Sequence, residues 1–249
     1  MVSVYNLSKT KQNDIVKHNS SKEIEFKWQA RSKKDFERFR RHAKALGAIA
    51  SRSQTLLIRD LYLDTAGGIF TNAGLKCRLR QAGSEWRLTL KSFGQRKKGL
   101  VQRLEKEIKL PSFKSRTAAL RYVSGRLKPS LLAGAPLKSL FEIRNRRTLC
   151  RYQLPGRAKA EACFDRVTLS RDKKKVRMRE IEFEFLGGNL ASFKKFSVEL
   201  GLAAGLCLQK KSKVATSVSA FGMGEILKNA RIDSARHFIK YSKHLSALL

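Results

Sequence analysis

The sequence predicts a β-dominated α+β fold, an eight-stranded antiparallel β-barrel tunnel with helices packed outside it. Three observations support this prediction. Eight segments alternate apolar and polar residues with the period of a strand, few helical segments separate them, and the 249-residue chain has no internal repeat and no linker long enough to require two independent domains. A barrel of eight strands, closed or nearly closed, leaves room inside for side chains or one small ligand.

The strand segments follow one another along the chain, and turn residues separate several of them. Gly83-Ser84 predicts a tight hairpin turn between two segments, and Pro155-Gly156 separates another pair. The predicted strands span 22–30, 55–64, 74–82, 85–92, 100–109, 138–153, 159–170 and 175–186.

Three helices are predicted between the strands. The first spans 33–46, with Ser32 as its N-cap and Gly47 just after its end. The other two span 112–126 and 189–200.

Composition divides the chain into three parts. Residues 1–21 are polar and predict a flexible N-terminal segment, whereas residues 22–221 contain all the strand segments and form the predicted barrel domain. Residues 222–249 predict a helical, amphipathic C-terminal tail. No segment has the ~18 consecutive apolar residues expected of a membrane span.

The charge is the unusual feature of the composition. The chain has 54 lysines and arginines against 20 acidic residues, a formal net charge of +34. Such a field attracts polyanions, so nucleic acid, polyphosphate, nucleotides and anionic membrane surfaces are all candidate partners. The alternative is that the charge simply keeps the surface soluble.

The cysteines indicate a reducing compartment. The four residues are dispersed, with no C-x-x-C pair, so neither a disulfide framework nor a structural zinc site is expected. We expect a cytoplasmic protein. Import into an organelle is the alternative, because the first residues contain lysines and few acids.

Full charges alternate with apolar residues on five of the predicted strands. A single strand of this kind usually has a solvated outer face, but five strands with blocks of one sign favour an inward-facing charged surface. Buried charges are stable only when paired or bound to ions, so a tunnel with acidic and basic walls would suit a metal–polyphosphate complex. The charged faces are Glu23/Glu25/Lys27, Lys76/Arg78/Arg80, Arg87/Thr89/Lys91, Arg103/Glu105/Glu107 and Glu180/Glu182/Glu184.

These segments resemble the CYTH family, also called triphosphate tunnel metalloenzymes. The hallmark ExExK motif is present as Glu23-Ile24-Glu25-Phe26-Lys27. The resemblance covers about residues 22–215, and it is most like the bacterial inorganic triphosphatase branch of the family. Further matching segments are Leu61–Thr65, Gly74–Arg80, Trp86–Lys91, Arg103–Glu107, Phe141–Thr148, Asp165, Glu180–Glu182 and Ser212-Lys213.

The resemblance implies roles for individual residues and a Mg²⁺ or Mn²⁺ cofactor. The metal ligands it implies are Glu23, Glu25, Glu180 and Glu182. The phosphate contacts are Lys27, Arg78, Arg80, Lys91, Arg103, Lys213 and an arginine of the 141–148 segment. We favour Arg147, which shares strand parity with Phe141 and Ile143, over Arg144 or Arg146, and Lys211 is an alternative to Lys213. By the same resemblance, Glu105 and Glu107 join the metal site as direct ligands or through metal-bound water, and Glu105, Glu107 or Asp165 is expected to orient or deprotonate the attacking water.

The expected activity is metal-dependent hydrolysis of a triphosphate, with inorganic triphosphate (tripolyphosphate) as the first candidate substrate. Other substrates within the same family are RNA 5′-triphosphates, favoured by the +34 charge, thiamine triphosphate, and ATP in a class IV adenylate cyclase. A protein that binds polyphosphate or RNA without catalysis is the alternative from another class. The large number of carboxylates on the charged faces argues against it.

Overall fold

The computed structural model describes residues 20–93, 95–97, 100–127, 132, 134–223, 238–239 and 241–242. The N-terminal segment predicted to be flexible therefore lies almost wholly outside the described residues, as does most of the predicted helical tail. Of the tail, Phe238 and Tyr241 are described, and both are buried.

Eleven strands are present in the described residues. In chain order they are β1 (Ser20–Gln29), β2 (Ile49–Ala50), β3 (Gln54–Asp64), β4 (Leu75–Ala82), β5 (Glu85–Ser92), β6 (Gln95–Lys97), β7 (Leu100–Leu110), β8 (Lys138–Leu154), β9 (Ala158–Arg171), β10 (Lys174–Gly187) and β11 (Cys207–Leu208).

Eight of these strands form a closed antiparallel barrel. Around the ring the order is β1-β10-β9-β8-β3-β4-β5-β7, and β7 pairs with β1 to close it. The predicted barrel is confirmed, and the end of each predicted strand falls within two residues of the observed one. The short strands β2, β6 and β11 were not predicted, because segments this short carry no measurable period.

Five helices accompany the barrel in the part of the chain that the structure describes: α1 (Lys33–Ala45), α2 (Ile69–Asn72), α3 (Arg116–Arg126), α4 (Leu190–Ala203) and α5 (Lys213–Ala220). The predicted N-cap of α1 is confirmed at Ser32, whose backbone N–H donates to Asp35 at 3.0 Å. Helix α3 begins later than predicted, because the Ser115 hydroxyl caps it by accepting from the Ala118 N–H at 3.1 Å.

Two apolar clusters cover the outside of the barrel. Trp28, Phe183 and their neighbours pack beneath α1 and α4, with Phe39 and Phe193 supplied by those helices. A second cluster packs strands β3, β4, β5 and β7 against α2 and α3, and also holds Phe238 and Tyr241. Because side chains alternate across a strand, this outward packing turns the charged residues of the same strands inward.

A third apolar cluster lies inside the barrel. Phe141, Ile143 and Leu169 face inward from β8 and β9 and pack with Val218 and Phe221 of the α5 region. Helix α5 thus fills the interior at one end, and the charged cavity lies beside this apolar plug. Among the described residues, no helix combines the length and the apolar character needed to cross a membrane.

Candidate active site

One cavity inside the barrel collects the charged side chains of the strands. Its volume is about 280 Å³. Basic, acidic and neutral polar groups share its wall, which includes Glu23, Lys27, Asp60, Tyr62, Lys76, Arg78, Arg80, Lys91, Arg103, Glu105, Asn145, Arg147, Glu161, Glu182, Glu184, Ser212 and Lys213. The charges are sorted around the ring, because the acids concentrate on β1, β10 and β9, whereas β4 and β5 carry cations.

The first acidic group lies on β1. Arg103, from the neighbouring β7, holds Glu23 through two hydrogen bonds of 2.7 and 2.9 Å and donates to Glu25 at 2.6 Å. Lys91 approaches Glu23 at 3.1 Å, and Lys27 lies 3.2 Å from Glu25. Both carboxylates are buried, and Glu25 is only 1% exposed.

The second acidic group joins β9 and β10. Asp165, Glu180 and Glu182 each offer a carboxylate oxygen, and these oxygens lie within 4.8 Å of one another. Lys213 of α5 reaches into this group, with Nζ 2.7 Å from Asp165, 3.0 Å from Glu182 and in contact with Glu180. Arg147 forms two hydrogen bonds to Asp165, at 2.8 and 2.7 Å, and contacts Glu182.

Arginines dominate the opposite wall. Arg80 makes a two-point contact with Asp60 at 2.7 and 2.9 Å. Arg78 is buried, donates to Thr89 at 3.1 Å and lies 3.7 Å from both Asp60 and Glu105. The guanidinium fork presents several donors in one plane, which suits the oxygens of a phosphate.

The proximity of these charges changes several pKa values. Burial raises the pKa of Glu180 to about 7, even though Lys213 opposes the shift. Burial, with Glu23 and Glu25 nearby, raises the pKa of Glu184 to about 8. Burial and the neighbouring cations, Arg103 first, lower the pKa of Lys76 to about 7. The cavity therefore contains groups that exchange protons near neutral pH.

Other acids are held ionised by their partners. Burial acts to raise the pKa of Glu23, but Lys91 and Arg103 lower it well below its usual range. Lys213 and Lys27 likewise overcome burial and keep the pKa of Glu182 well below its usual range. Carboxyl groups with lowered and with raised pKa values thus lie close together, as Glu182 and Glu184 do on β10.

Most of the residues predicted for the site meet in this cavity. Arg147 faces inward with Ile143 and Asn145, whereas Arg144 does not reach the cavity. Arg144 lies on the outer face of β8, where it is 56% exposed and bonded to Glu142 at 2.7 Å. Strand alternation explains the difference, since positions 144 and 147 have opposite parity.

The same alternation sorts the remaining alternatives. Arg146 is exposed on the outer face of β8. Of the two lysines considered, Lys211 is exposed, whereas Lys213 reaches the acidic group. Glu107 is not part of the cavity lining; it is bonded to Arg87 at 2.6 Å and lies 3.8 Å from Arg78.

Four charged residues of the cavity were missing from the predicted site: Asp60, Lys76, Glu161 and Glu184. Lys76 and Glu184 belonged to the charged faces already recognised in the sequence, but no role was assigned to them. Asp60 shares parity with Tyr62, and this would have placed it inward. Glu161 lies among small apolar residues of β9, so no charged face marks it in the sequence. Its shared strand parity with Asp165 is the one signal that could have placed it inward.

The acidic groups suit a hard divalent cation. Three clustered carboxylates provide oxygen donors of the kind that Mg²⁺ and Mn²⁺ prefer. Lys213 and Arg147 supply the positive charge that these carboxylates require. The donor set is therefore compatible with a metal bound beside the basic wall.

Comparisons with solved structures agree with this architecture. HpAC1 from Hippeastrum, described as an adenylyl cyclase candidate with a dominant triphosphatase activity, is 20% identical, with a TM-score of 0.56 over 79% of this chain and 95% of that one. A Bacillus halodurans adenylate cyclase candidate is 21% identical, with a TM-score of 0.50 over 78% and 96% of the two chains. The PH1819 protein of Pyrococcus horikoshii OT3 is 17% identical, with a TM-score of 0.50 over 79% and 98%.

These identities establish similarity of fold. No curated protein sequence matches the chain significantly. The family model of the CYTH domain, in contrast, matches residues 21–218, which includes every barrel strand and nearly all of α5. The chain therefore belongs to the CYTH domain family.

Proposed function

We propose that this protein is a metal-dependent triphosphatase whose substrate is inorganic triphosphate, tripolyphosphate. The observation that carries the proposal is the sorting of charge around one cavity, with carboxylates on β1, β10 and β9 and cations on β4 and β5. A polyphosphate with its divalent cation complements both walls at once, because the phosphates face the arginines and the cation faces the acids.

The cations of the cavity hold the phosphates. Arg78, Arg80 and Lys91 line one wall, and Arg103 and Arg147 stand where the basic and acidic walls meet. In the structure these cations pair with carboxylates, so a phosphate that binds them would replace a carboxylate as their anionic partner. Lys27 and Lys213 add charge at the acidic side. Such preorganised donors stabilise the charge that develops on phosphate oxygens during transfer.

The carboxylates hold the metal and the water. Glu23, Glu25, Glu180 and Glu182 are the proposed ligands of Mg²⁺ or Mn²⁺, with Asp165 adjoining them. When bound, a divalent cation would neutralise phosphate charge and favour attack by water. Glu105, Glu107 and Asp165 are the proposed groups that orient or deprotonate that water.

The lining favours the inorganic substrate over a nucleotide or thiamine ester. Among the described residues around the cavity, Tyr62 is the one aromatic side chain, and it is stacked on Phe141 at 4.9 Å between ring centroids. A base or thiazole ring would thus find no second aromatic face in the described lining. The resemblance to the bacterial inorganic triphosphatase branch points the same way.

An RNA 5′-triphosphate is the second candidate substrate. The net charge of +34 favours it, because a strongly basic surface attracts the RNA backbone outside the tunnel. Only the terminal triphosphate would then enter the cavity.

The test is phosphate release from tripolyphosphate, thiamine triphosphate, ATP and 5′-triphosphorylated RNA, with Mg²⁺ or Mn²⁺ and with EDTA as the metal-free control. We expect the highest kcat/KM with tripolyphosphate and no release in EDTA. Faster hydrolysis of the RNA would replace the first candidate with the second. Binding of tripolyphosphate without release from any substrate would overturn the enzyme proposal in favour of a polyphosphate-binding protein.

A further inference from the structure

Arginines form two rows on the outside of the barrel, on four adjacent strands. One row runs through Arg59 of β3, Arg144 of β8, Thr168 of β9 and Arg177 of β10, which are register partners. The second row lies two residues away on each strand and consists of Leu57, Arg146, Arg166 and Arg179, which are also register partners. We call these six arginines the outer arginine surface.

The arrangement places like charges directly opposite one another. Arg59 pairs with Arg144, and Arg166 lies between Arg146 and Arg179. Side chains opposite each other on antiparallel strands are about 5 Å apart at Cβ, and like charges there destabilise the sheet. An uncompensated row of this kind therefore costs stability in the free protein.

Few carboxylates compensate these charges. Within the described part of the chain, Glu142 bonds Arg144, but it also bonds Arg116 of α3. The other five arginines form no ion pair among the described residues. Four of those five are exposed, and Arg166 is half-buried.

This surface is separate from the candidate active site. Positions 146 and 166 face outward, whereas their chain neighbours Arg147 and Asp165 are bonded to each other on the inner side, where Arg147 lines the cavity. The two sets thus occupy opposite sides of the same wall, and a ligand on one cannot contact the other set directly.

We propose that the outer arginine surface binds the phosphodiester backbone of a single-stranded nucleic acid. Arginines on neighbouring strands of these rows are attached about 5 Å apart, and those of the two rows are attached about 7 Å apart along a strand, so the surface matches a ligand with repeated phosphates rather than one isolated anion.

The side chains of the surface favour a nucleic acid over other polyanions. Arginine stacks on bases as well as binding phosphate, which an inorganic polyphosphate cannot exploit. Leu57, 71% exposed at the end of the second row, adds an apolar contact for a base or sugar. One leucine on a convex barrel is too little apolar surface to insert into a bilayer.

The test compares two double variants of equal charge. R146Q/R177Q removes one arginine from each row, and neither side chain has an ion-pair partner among the described residues. R41Q/R121Q removes two exposed arginines that lie on α1 and α3 rather than on the four strands of the surface. The probe is a fluorescent 20-nucleotide single-stranded RNA with a 5′-hydroxyl, which offers no triphosphate to the tunnel. Binding is measured between 50 and 200 mM salt.

We expect R146Q/R177Q to weaken RNA binding at least tenfold and to reduce the slope of log K against log salt by about 1.4, that is 0.7 for each lost phosphate contact. The control should change affinity by less than about threefold. Hydrolysis of tripolyphosphate by R146Q/R177Q at the wild-type rate would show that the fold is intact. Because like charges are removed, its RNA-free Tm should rise by a few degrees.

Three results would overturn the proposal. Equal weakening by both variants would mean that net charge alone binds RNA. If R146Q/R177Q lost binding to phosphatidylserine vesicles while its RNA binding was unchanged, the ligand of this surface would be an anionic membrane instead. Stronger binding of long-chain polyphosphate than of RNA, with the same arginine dependence, would identify that polymer as the ligand. Since the RNA probe has no triphosphate, none of these results depends on whether the proposed triphosphatase activity is correct.

Discussion

Glu25 shows how much a single buried side chain contributes to the cavity. It is 1% exposed, it accepts from Arg103 at 2.6 Å, and Lys27 lies 3.2 Å away. Burial raises its pKa despite these two cations. The carboxylate is therefore retained at a cost in stability, which is typical of a functional group.

E25Q should lower kcat at least 100-fold, because the amide keeps the shape of the side chain but removes a negative charge proposed to hold the metal. A factor of 100 corresponds to about 2.7 kcal/mol of transition-state stabilisation. The measurement is kcat for tripolyphosphate with Mg²⁺ or Mn²⁺. The matched control is E142Q, which alters a carboxylate on the outside of the same barrel. Normal turnover by E25Q would refute its assignment as a ligand.

Helix α5 connects the apolar plug with the acidic group. Its Val218 packs inside the barrel, whereas its first residue, Lys213, contacts Asp165, Glu180 and Glu182. One helix therefore closes the barrel end and brings a cation into contact with three buried carboxylates.

K213M should destabilise the metal-free protein by about 3 kcal/mol, because it leaves buried carboxylates without their main cation. Mg²⁺ should then raise the Tm of K213M more than that of the wild type, since a bound cation replaces the lost charge. Thermal unfolding with EDTA or with Mg²⁺ measures both effects. K211M, an exposed neighbour on the same segment, is the control. An equal Mg²⁺ shift in wild type and K213M would contradict the cation site at this acidic group.

Helix α4 approaches β1 through a glycine. A Cβ on Gly201 would lie 2.7 Å from Nε1 of Trp28, which is buried beneath the helix. Close packing of the helix against the first strand therefore requires a residue without a side chain here. Since β1 contains Glu23 and Glu25, this packing also positions part of the site.

G201A should destabilise the protein by about 1–3 kcal/mol through overpacking. G125A is the matched control, because it is also a glycine within a helix, α3, but its added Cβ would meet nothing within 4 Å. That substitution should stabilise the protein by up to about 1 kcal/mol through helix propensity. Denaturant unfolding measures both values. A stabilised G201A would show that α4 can shift away from Trp28 at little cost.

The stability of the whole molecule should depend on pH in two opposite ways. Glu184 and Glu180 have raised pKa values, about 8 and 7. Their contribution to the stability of the folded protein is therefore fully present below the unfolded pKa of about 4.3. It is lost as the pH rises through the pKa values of the folded state. The pKa of Asp60 is lowered to about 2, because Arg80 and Arg78 outweigh the effect of burial. Its contribution is present above about pH 3.9 and is lost as the pH falls towards 2.

E184Q should stabilise the metal-free protein at pH 8.5 by about 2 kcal/mol, or roughly 4–8 °C in Tm, because an uncharged amide avoids both the burial of a charge and the repulsion from Glu23 and Glu25. At about pH 3.5, below the unfolded pKa of about 4.3, the carboxyl group is mostly protonated in both folded and unfolded chains, so the variant should match the wild type. Thermal unfolding across this pH range provides the measurement. A pH-independent difference would show that the effect comes from packing.

Local patterns account for the parts of this fold that the sequence predicts well. Strand alternation is a property of neighbouring residues, so the ends of each of the eight barrel strands were located to within two residues. The same alternation separates Arg147 from Arg144 once Phe141 and Ile143 are known to be buried inside. The brief helix α2 could not be predicted in this way, because four residues are too few for a helical period.

The sequence by itself determined the eight barrel strands, the charged face of five of them and the resemblance to the family. Only the tertiary structure decided which charges meet. The β1–β7 pairing that closes the ring brings Arg103 to Glu23, 80 residues away, and α5 brings Lys213 to Asp165. It also decided that the outer arginines line up across four strands. The physical reason is register: alternation assigns a side chain to a face, but pairing between distant strands selects its neighbours.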